Sequence, residues 1–152
     1  MMAMSAGGYQ FRTGCAGDLP GVSALLKGCG LPADDLGSDS LSCFELAVDV
    51  QGRIVGGAGF DRAGSDALLR SLVVTADWRG RGLGEQLVAR RAAAAKVAGV
   101  GRLFLLTTSA ADYFRRLGYH DVPRAEVPAA IAAHAQFRSL CPASAKCLSK
   151  CL

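Results

Sequence analysis

The chain has 152 residues, 51% of them apolar, which is enough for one domain with its own core. Its net charge is +4, and its arginines are scattered apart from Arg79/Arg81, Arg90/Arg91 and Arg115/Arg116. That suits an anionic small ligand and argues against nucleic acid, whose binders carry a basic stripe with interleaved aromatics. No apolar run approaches a membrane span, and no charged region followed by an apolar block opens the chain, so neither a membrane partner nor a secretion signal is expected.

The six cysteines (Cys15, Cys29, Cys43, Cys141, Cys147, Cys151) include no Cys-x-x-Cys pair, and there are two histidines. A metal site is therefore not expected, and free thiols in a reducing cytoplasm are. A strand arrangement puts Cys147 and Cys151 roughly 13 Å apart on one face, too far to share a single ion.

Taken in chain order, residues 1–8 read as a flexible start and 9–152 as one domain. Tyr9 to Thr13 alternates like a strand. Asp18 is placed to cap a helix with Pro20 in its first turn and Val22, Leu25, Leu26 and Cys29 on its apolar face; Gly30 and Pro32 end it. Pro32 to Ser40 is polar and reads as a loop with a short helix. Cys43–Val50 and Arg53–Phe60 read as antiparallel strands joined at Gln51-Gly52, with Gly56, Gly57 and Gly59 permitting a bend. Gly64-Ser65-Asp66 turns into a strand at Leu68–Val74. A helix follows from Leu83 to Ala98, with Leu83, Leu87, Val88, Ala92 and Ala95 on one face. The short link to the Leu103 strand implies a parallel pair. Then come a helix that begins at Ala111 and leads into Leu117-Gly118-Tyr119, a short strand at Tyr119–Val122, a helix from Glu126 to His134 with Pro128 in its first turn, and a last strand at Ala145–Leu152. The sum is an α/β domain with a mixed sheet of six or seven strands and flanking helices.

The most informative stretch is Arg79-Gly80-Arg81-Gly82-Leu83-Gly84, between a strand and a helix start. Glycines let the backbone approach a diphosphate, and the helix N-terminus offers free N–H groups and a positive dipole end. The spacing is not that of a Walker loop, because Glu85-Gln86 follow where Lys-Ser or Lys-Thr is needed. Nor is it the dinucleotide Gly-x-Gly-x-x-Gly.

Read as Arg-x-x-Gly-x-Gly (Arg79, Gly82, Gly84), the loop resembles motif A of the GNAT superfamily of acetyl-CoA-dependent N-acetyltransferases. Arg70-Ser71-Leu72-Val73-Val74, Trp78, the Leu103–Thr107 strand and Ala111–Tyr119 with its Leu117-Gly118-Tyr119 are similar to that family in the same order. The resemblance spans 9–122 and, in finer features, reaches the C-terminus. It implies acetyl-CoA as cofactor. Pantetheine and thioester contacts fall on the backbone of Leu72, Val73 and Val74, and the pyrophosphate on Arg79, Gly80, Arg81, Gly82, Leu83 and Gly84. Many family members have a tyrosine as acid where this chain has Phe114; Tyr113, one residue earlier, is either a candidate acid or a half-buried amphipathic residue. Glu45 is either a general base or a residue on the solvent face of its strand. His120 and His134 read as surface residues.

Phe114 with Gly118, and Arg70-Ser71-Leu72, are similar to the glutamate N-acetyltransferases (N-acetylglutamate synthases). The tail from Gln136 to Ala145 is similar to ArsN-type acetyltransferases, encoded with arsenic-resistance genes. Both resemblances imply a small-molecule amine acceptor, a glutamate-like amino acid, with arsinothricin or phosphinothricin as candidates. The acid groups of such an acceptor need guanidinium or hydroxyl partners. The candidates are Arg70, Thr107, Thr108, Arg138 and Ser144. A peptide or other small-amine acetyltransferase and a non-catalytic acetyl-CoA sensor are the alternatives. Family members often form homodimers, and the apolar tail is compatible with one.

Overall fold

The computed structural model describes residues 8–140 and 144–152. Seven strands, β1 (Tyr9–Thr13), β2 (Phe44–Asp49), β3 (Ile54–Ala63), β4 (Asp66–Val74), β5 (Arg102–Thr107), β6 (His120–Asp121) and β7 (Lys146–Cys151), form one sheet in the order β1-β2-β3-β4-β5-β7-β6. β4 and β5 pair in parallel; β1–β2, β2–β3, β5–β7 and β6–β7 pair antiparallel. The helices are α1 (Leu19–Gly28), α2 (Leu83–Val97), α3 (Ala111–Arg116) and α4 (Ala129–Ala132). The expected α/β class and mixed sheet are observed. Residues 1–7 of the expected flexible start, and Cys141 in the tail, lie outside the described residues. No helix among the described residues is long and apolar enough to cross a membrane.

The chain divides into two compact units, Met1–Gly59 with Ser71–Arg91 and Phe60–Arg70 with Ala92–Leu152. In the first unit every residue of β2 is buried, because alternate side chains serve two cores. Phe44 and Leu46 pack with Val22, Leu26, Leu41 and Val73. Ala47 packs with Tyr9, Val55, Ala58 and the α2 leucines Leu83 and Leu87. The glycines of β3 are required by this packing. Gly59 lies opposite Phe44, and a Cβ there would fall 2.6–2.9 Å from the Phe44 ring. At Gly56 it would meet the Val73 carbonyl oxygen at 3.1 Å.

α1 ends as expected: Gly30 has φ +74°, and the Leu31 N–H returns to the Leu26 carbonyl at 2.9 Å. Its start differs. Asp18 is the residue before α1 but its side chain makes no cap bond to that helix. Instead it accepts the Cys15 N–H at 2.8 Å and two guanidinium bonds from Arg12, each 2.8 Å. The Arg12 bonds outweigh the smaller cost of burial and hold the Asp18 carboxyl well below the usual carboxylate range. A guanidinium fork offers a carboxylate more than a single backbone N–H does, so the side chain turns towards β1.

In the second unit the parallel register runs from Asp66↔Arg102 to Leu68↔Phe104, and the Arg102 guanidinium meets the Asp66 carboxylate at 3.0 Å. Leu68, Phe104, Ile131 and Cys147 form its core. The expected helix at Glu126–His134 is replaced by a 3-10 turn at Arg124–Glu126 and the short α4. The residue before a proline is driven out of the α region. Val127, before Pro128, is accordingly extended (φ −71°, ψ 148°), Pro128 is the N-cap (ψ 147°), and α4 begins at Ala129.

The Gly59→Ala variant should lose about 1–3 kcal/mol of stability through overpacking against Phe44, measured by denaturant unfolding.

Candidate active site

The glycine loop takes its shape from two left-handed residues, Gly80 (φ +77°) and Gly82 (φ +78°). Neither has any atom within 4 Å of where a Cβ would stand, so these glycines are needed for conformation and leave open space. Alternation of left- and right-handed residues turns successive N–H groups to one side, an anion-binding concavity. Here it leads into the first turn of the 15-residue α2, whose own first N–H groups lack intrahelical partners. The arginines brace this loop. The Arg79 Nε–H donates to the Val74 carbonyl at 3.1 Å, and its Nη2 lies 3.7 Å from Cys29 Sγ. The Arg81 guanidinium lies 4.6 Å from the Trp78 ring centroid, and Trp78 stands edge-on to Tyr9 at 5.5 Å. Leu72 and Val74 pack towards one core of this unit and Val73 towards the other.

Glu45 does not sit on a solvent face. It is buried on β2 and its carboxylate is held from α2: Arg91 Nη2 at 2.8 Å on one oxygen, Arg90 Nη2 at 2.6 Å on the other. Arg91 also donates to the Cys43 carbonyl at 3.0 Å. With both oxygens committed to guanidiniums, Glu45 is poorly suited to take a proton from an amine. The two ion pairs tie β2 to α2.

The other candidates fall in the second unit. Arg70 is 4% exposed, and its Nη1 donates to Asp61 Oδ2 at 3.1 Å. The same oxygen meets His134 Nε2 at 2.7 Å. Burial would raise the Asp61 carboxyl, but the His134 hydrogen bond and the Arg70 charge and hydrogen bond together hold it below its ordinary value. His134 is thus a half-buried partner of a carboxylate, in contrast to the surface residue expected; His120 is exposed as expected. Asp61 and His134 were missed by sequence reasoning because they are 73 positions apart and share no spacing pattern.

Tyr113 is half-buried on α3, edge-on to Phe114 at 5.3 Å. Tyr119 is buried with no partner for its hydroxyl among the described residues, and burial pushes its pKa up to about 12, so it stays protonated at neutral pH. Thr107 Oγ1 accepts the Ala110 N–H at 2.9 Å and shapes the turn into α3; Thr108 is exposed. Arg138 is exposed in a π turn at Gln136–Leu140, and Ser144 is exposed ahead of β7. The cofactor candidates therefore gather in the first unit, and Arg70, Thr107, Thr108, Tyr113, Arg138 and Ser144 belong to the second.

The acetyltransferase (GNAT) domain model matches residues 41–121. The chain belongs to the GNAT family. Its cofactor is acetyl-CoA, and the loop fits the diphosphate of that cofactor through its two left-handed glycines and the α2 N-terminus. An amino-acid acetyltransferase of Ectopseudomonas mendocina (strain ymp) is 41% identical over 64 residues, 42% of this chain and 15% of that protein. The chain thus spans a small part of that relative. Among solved structures, the N-acetylglutamate synthase of Neisseria gonorrhoeae, complexed with coenzyme A and N-acetyl-glutamate, superposes with TM-score 0.83 at 20% identity, over 100% of this chain and 36% of that one. A GNAT-family acetyltransferase of Staphylococcus aureus Mu50 gives 0.73 at 15% identity, over 95% and 99%. At such identities the likeness carries the fold.

Two outcomes check this site in the GNAT domain. Gly82→Ala strains a left-handed position by about 1–2 kcal/mol and should weaken CoA binding about tenfold by calorimetry. Glu45→Gln, by leaving buried guanidinium charge without its carboxylate, should cost roughly 3 kcal/mol of stability in a denaturant melt. Full stability with abolished turnover would instead restore Glu45 as a base.

Proposed function

We propose that this GNAT domain acetylates the amino group of a glutamate-like amino acid, with L-glutamate, arsinothricin and phosphinothricin as the acceptors to test. The observation that carries the reading is the left-handed Gly80/Gly82 loop at the head of α2, which suits the acetyl-CoA diphosphate. The similarity to an amino-acid acetyltransferase and the burial of a guanidinium at Arg70 support the acceptor class.

Acetyl-CoA supplies the acetyl group as an activated thioester. The backbone N–H groups at Leu72, Val73 and Val74 orient that end of the cofactor, and an aligned N–H donor stabilises charge developing on the carbonyl oxygen. The acceptor amine attacks directly: a C–N bond forms, the C–S bond breaks and CoA leaves as thiolate. The amine proton goes to water, since Glu45 is engaged by Arg90 and Arg91. Tyr113 is the candidate acid for the leaving thiolate. Arg70, Arg138, Thr107, Thr108 and Ser144 supply the donors for the acceptor's acid groups, and much of the rate comes from holding the two reactants in register.

A second reading, a non-catalytic acetyl-CoA sensor, is favoured by two observations: Glu45 is ion-paired, and Phe114 stands where many family members have the acid tyrosine. Free-thiol release from acetyl-CoA over a panel of glutamate, its phosphorus and arsenic mimics, other amino acids and a lysine peptide separates the readings. Selective turnover of the glutamate-like amines is expected. CoA binding with no turnover of any amine would support the sensor. Under the proposed function, Arg70→Ala should raise acceptor KM about tenfold or more while acetyl-CoA KM stays within about twofold; equal changes in both would remove Arg70 from acceptor recognition.

A further inference from the structure

We propose that Asp61 and His134 are positioning residues that couple Arg70 on β4 to the π turn carrying Arg138, and so set how an acceptor's acid groups are read. This rests on the glutamate-like acceptor proposed above.

The connection is continuous. Arg70 Nη1 donates to Asp61 Oδ2 at 3.1 Å. The same oxygen lies 2.7 Å from His134 Nε2. The far nitrogen of the ring, Nδ1, accepts the backbone N–H of Gln136 at 3.1 Å. A ring nitrogen that accepts a hydrogen bond carries a lone pair, so the ring proton is on Nε2 and is donated to Asp61. This tautomer follows from the hydrogen-bond network. Gln136 is 5% exposed and is the first residue of the π turn. The His134 carbonyl also accepts the N–H groups of Phe137 and Arg138, each at 3.0 Å. One histidine therefore holds the turn by its ring and by its backbone.

Each part has a physical purpose under this proposal. A guanidinium is planar and presents its donors in a rigid fork. Engaging one N–H on a carboxylate that is itself held by His134 restricts the plane of that fork. An Arg70 side chain 1% exposed needs such a carboxylate, and Asp61 stays ionised because the bonds from His134 and Arg70 outweigh its burial. For structure alone, a well-packed apolar side chain would serve as well as a buried ion pair. π turns are rare and frequent at functional sites, and this one presents an exposed arginine. The chain of bonds thus joins a buried cation and an exposed one, the two guanidiniums proposed to read the acceptor.

The test uses the whole chain and compares steady-state kinetics of wild type with Asp61→Asn, His134→Ala, His134→Gln and Arg70→Ala. Misplacement of a positioning group is expected to raise acceptor KM about tenfold in His134→Ala and Asp61→Asn, with acetyl-CoA KM within about twofold. His134→Gln keeps an amide N–H for Asp61 and should recover most of that loss. The double variant His134→Ala/Arg70→Ala should be no worse than Arg70→Ala, because the two act through one another. Equal shifts of both KM values, no rescue by glutamine, or additive effects would overturn the coupling. NMR gives an answer that needs no acceptor: Arg70→Ala should move the His134 ring nitrogen and the Gln136 and Arg138 amide signals, and unmoved signals overturn it. Absence of amino-acid turnover by the wild-type protein would sink the acceptor reading, and the specificity role with it, while those shifts report the coupling by itself.

Discussion

One buried carboxylate ties β2 to the helix that the glycine loop leads into. Glu45, buried on β2, takes Arg91 on one oxygen and Arg90 on the other, both from α2. A buried carboxylate without those partners would carry a large desolvation penalty, so β2 and α2 are tied at that point. Nearer its start α2 is seated by Leu83 and Leu87 against Ala47, Val55 and Ala58. The Arg90 guanidinium reaches on to the Phe11 ring, 4.3 Å from its centroid, and so brings β1 into the same arrangement. The left-handed glycines lie at the head of a helix held by apolar packing on one turn and by charge on another. An anion site made of backbone N–H groups is only as well aimed as the helix that carries it.

The arginines explain why a modest positive charge says little about the ligand. Arg12 is taken by Asp18, Arg53 by Asp49, Arg102 by Asp66 and Arg115 by Asp121. Others meet carbonyls: Arg62 bonds the Gly64 and Ala98 oxygens, and Arg124 bonds those of Phe137 and Ala145. Even Arg79, read from the sequence as a phosphate partner, uses its Nε on Val74. Guanidiniums here act mainly as links between segments, a task suited to a planar group with several fixed donors.

The parts of the fold governed by local chemistry were readable. Strand alternation at Tyr9–Thr13, the apolar face of α2 and the glycine loop all arise from residues within a turn or two of one another. What was not readable turned on which partner a side chain takes. Asp18 was expected to cap the next helix, but Arg12 competes for the same oxygens. Glu45 looked like a base or a surface residue because its arginines lie two strands and a helix later. Asp61 carried no signal, and His134 read as a surface residue. The helix expected at Glu126–His134 was a different error: Pro128 was placed inside its first turn, whereas Val127 and Pro128 are both extended and α4 starts only at Ala129. Within the candidate site, the glycine loop's shape was legible because glycines and main chain make it; how Arg70, Asp61 and His134 come together was not, because they lie on separate elements.

The place of β7 in the sheet has a consequence for how the chain is made. β7 pairs with β5 on one side and β6 on the other, so β6 waits for its neighbour until α4 and the π turn have been synthesised. The first unit, by contrast, has its last residue, Arg91, in hand before β5 exists. Emerging from a ribosome, which releases residues in order, the glycine loop and its supporting core can assemble while the second unit still lacks the strand that joins its sheet.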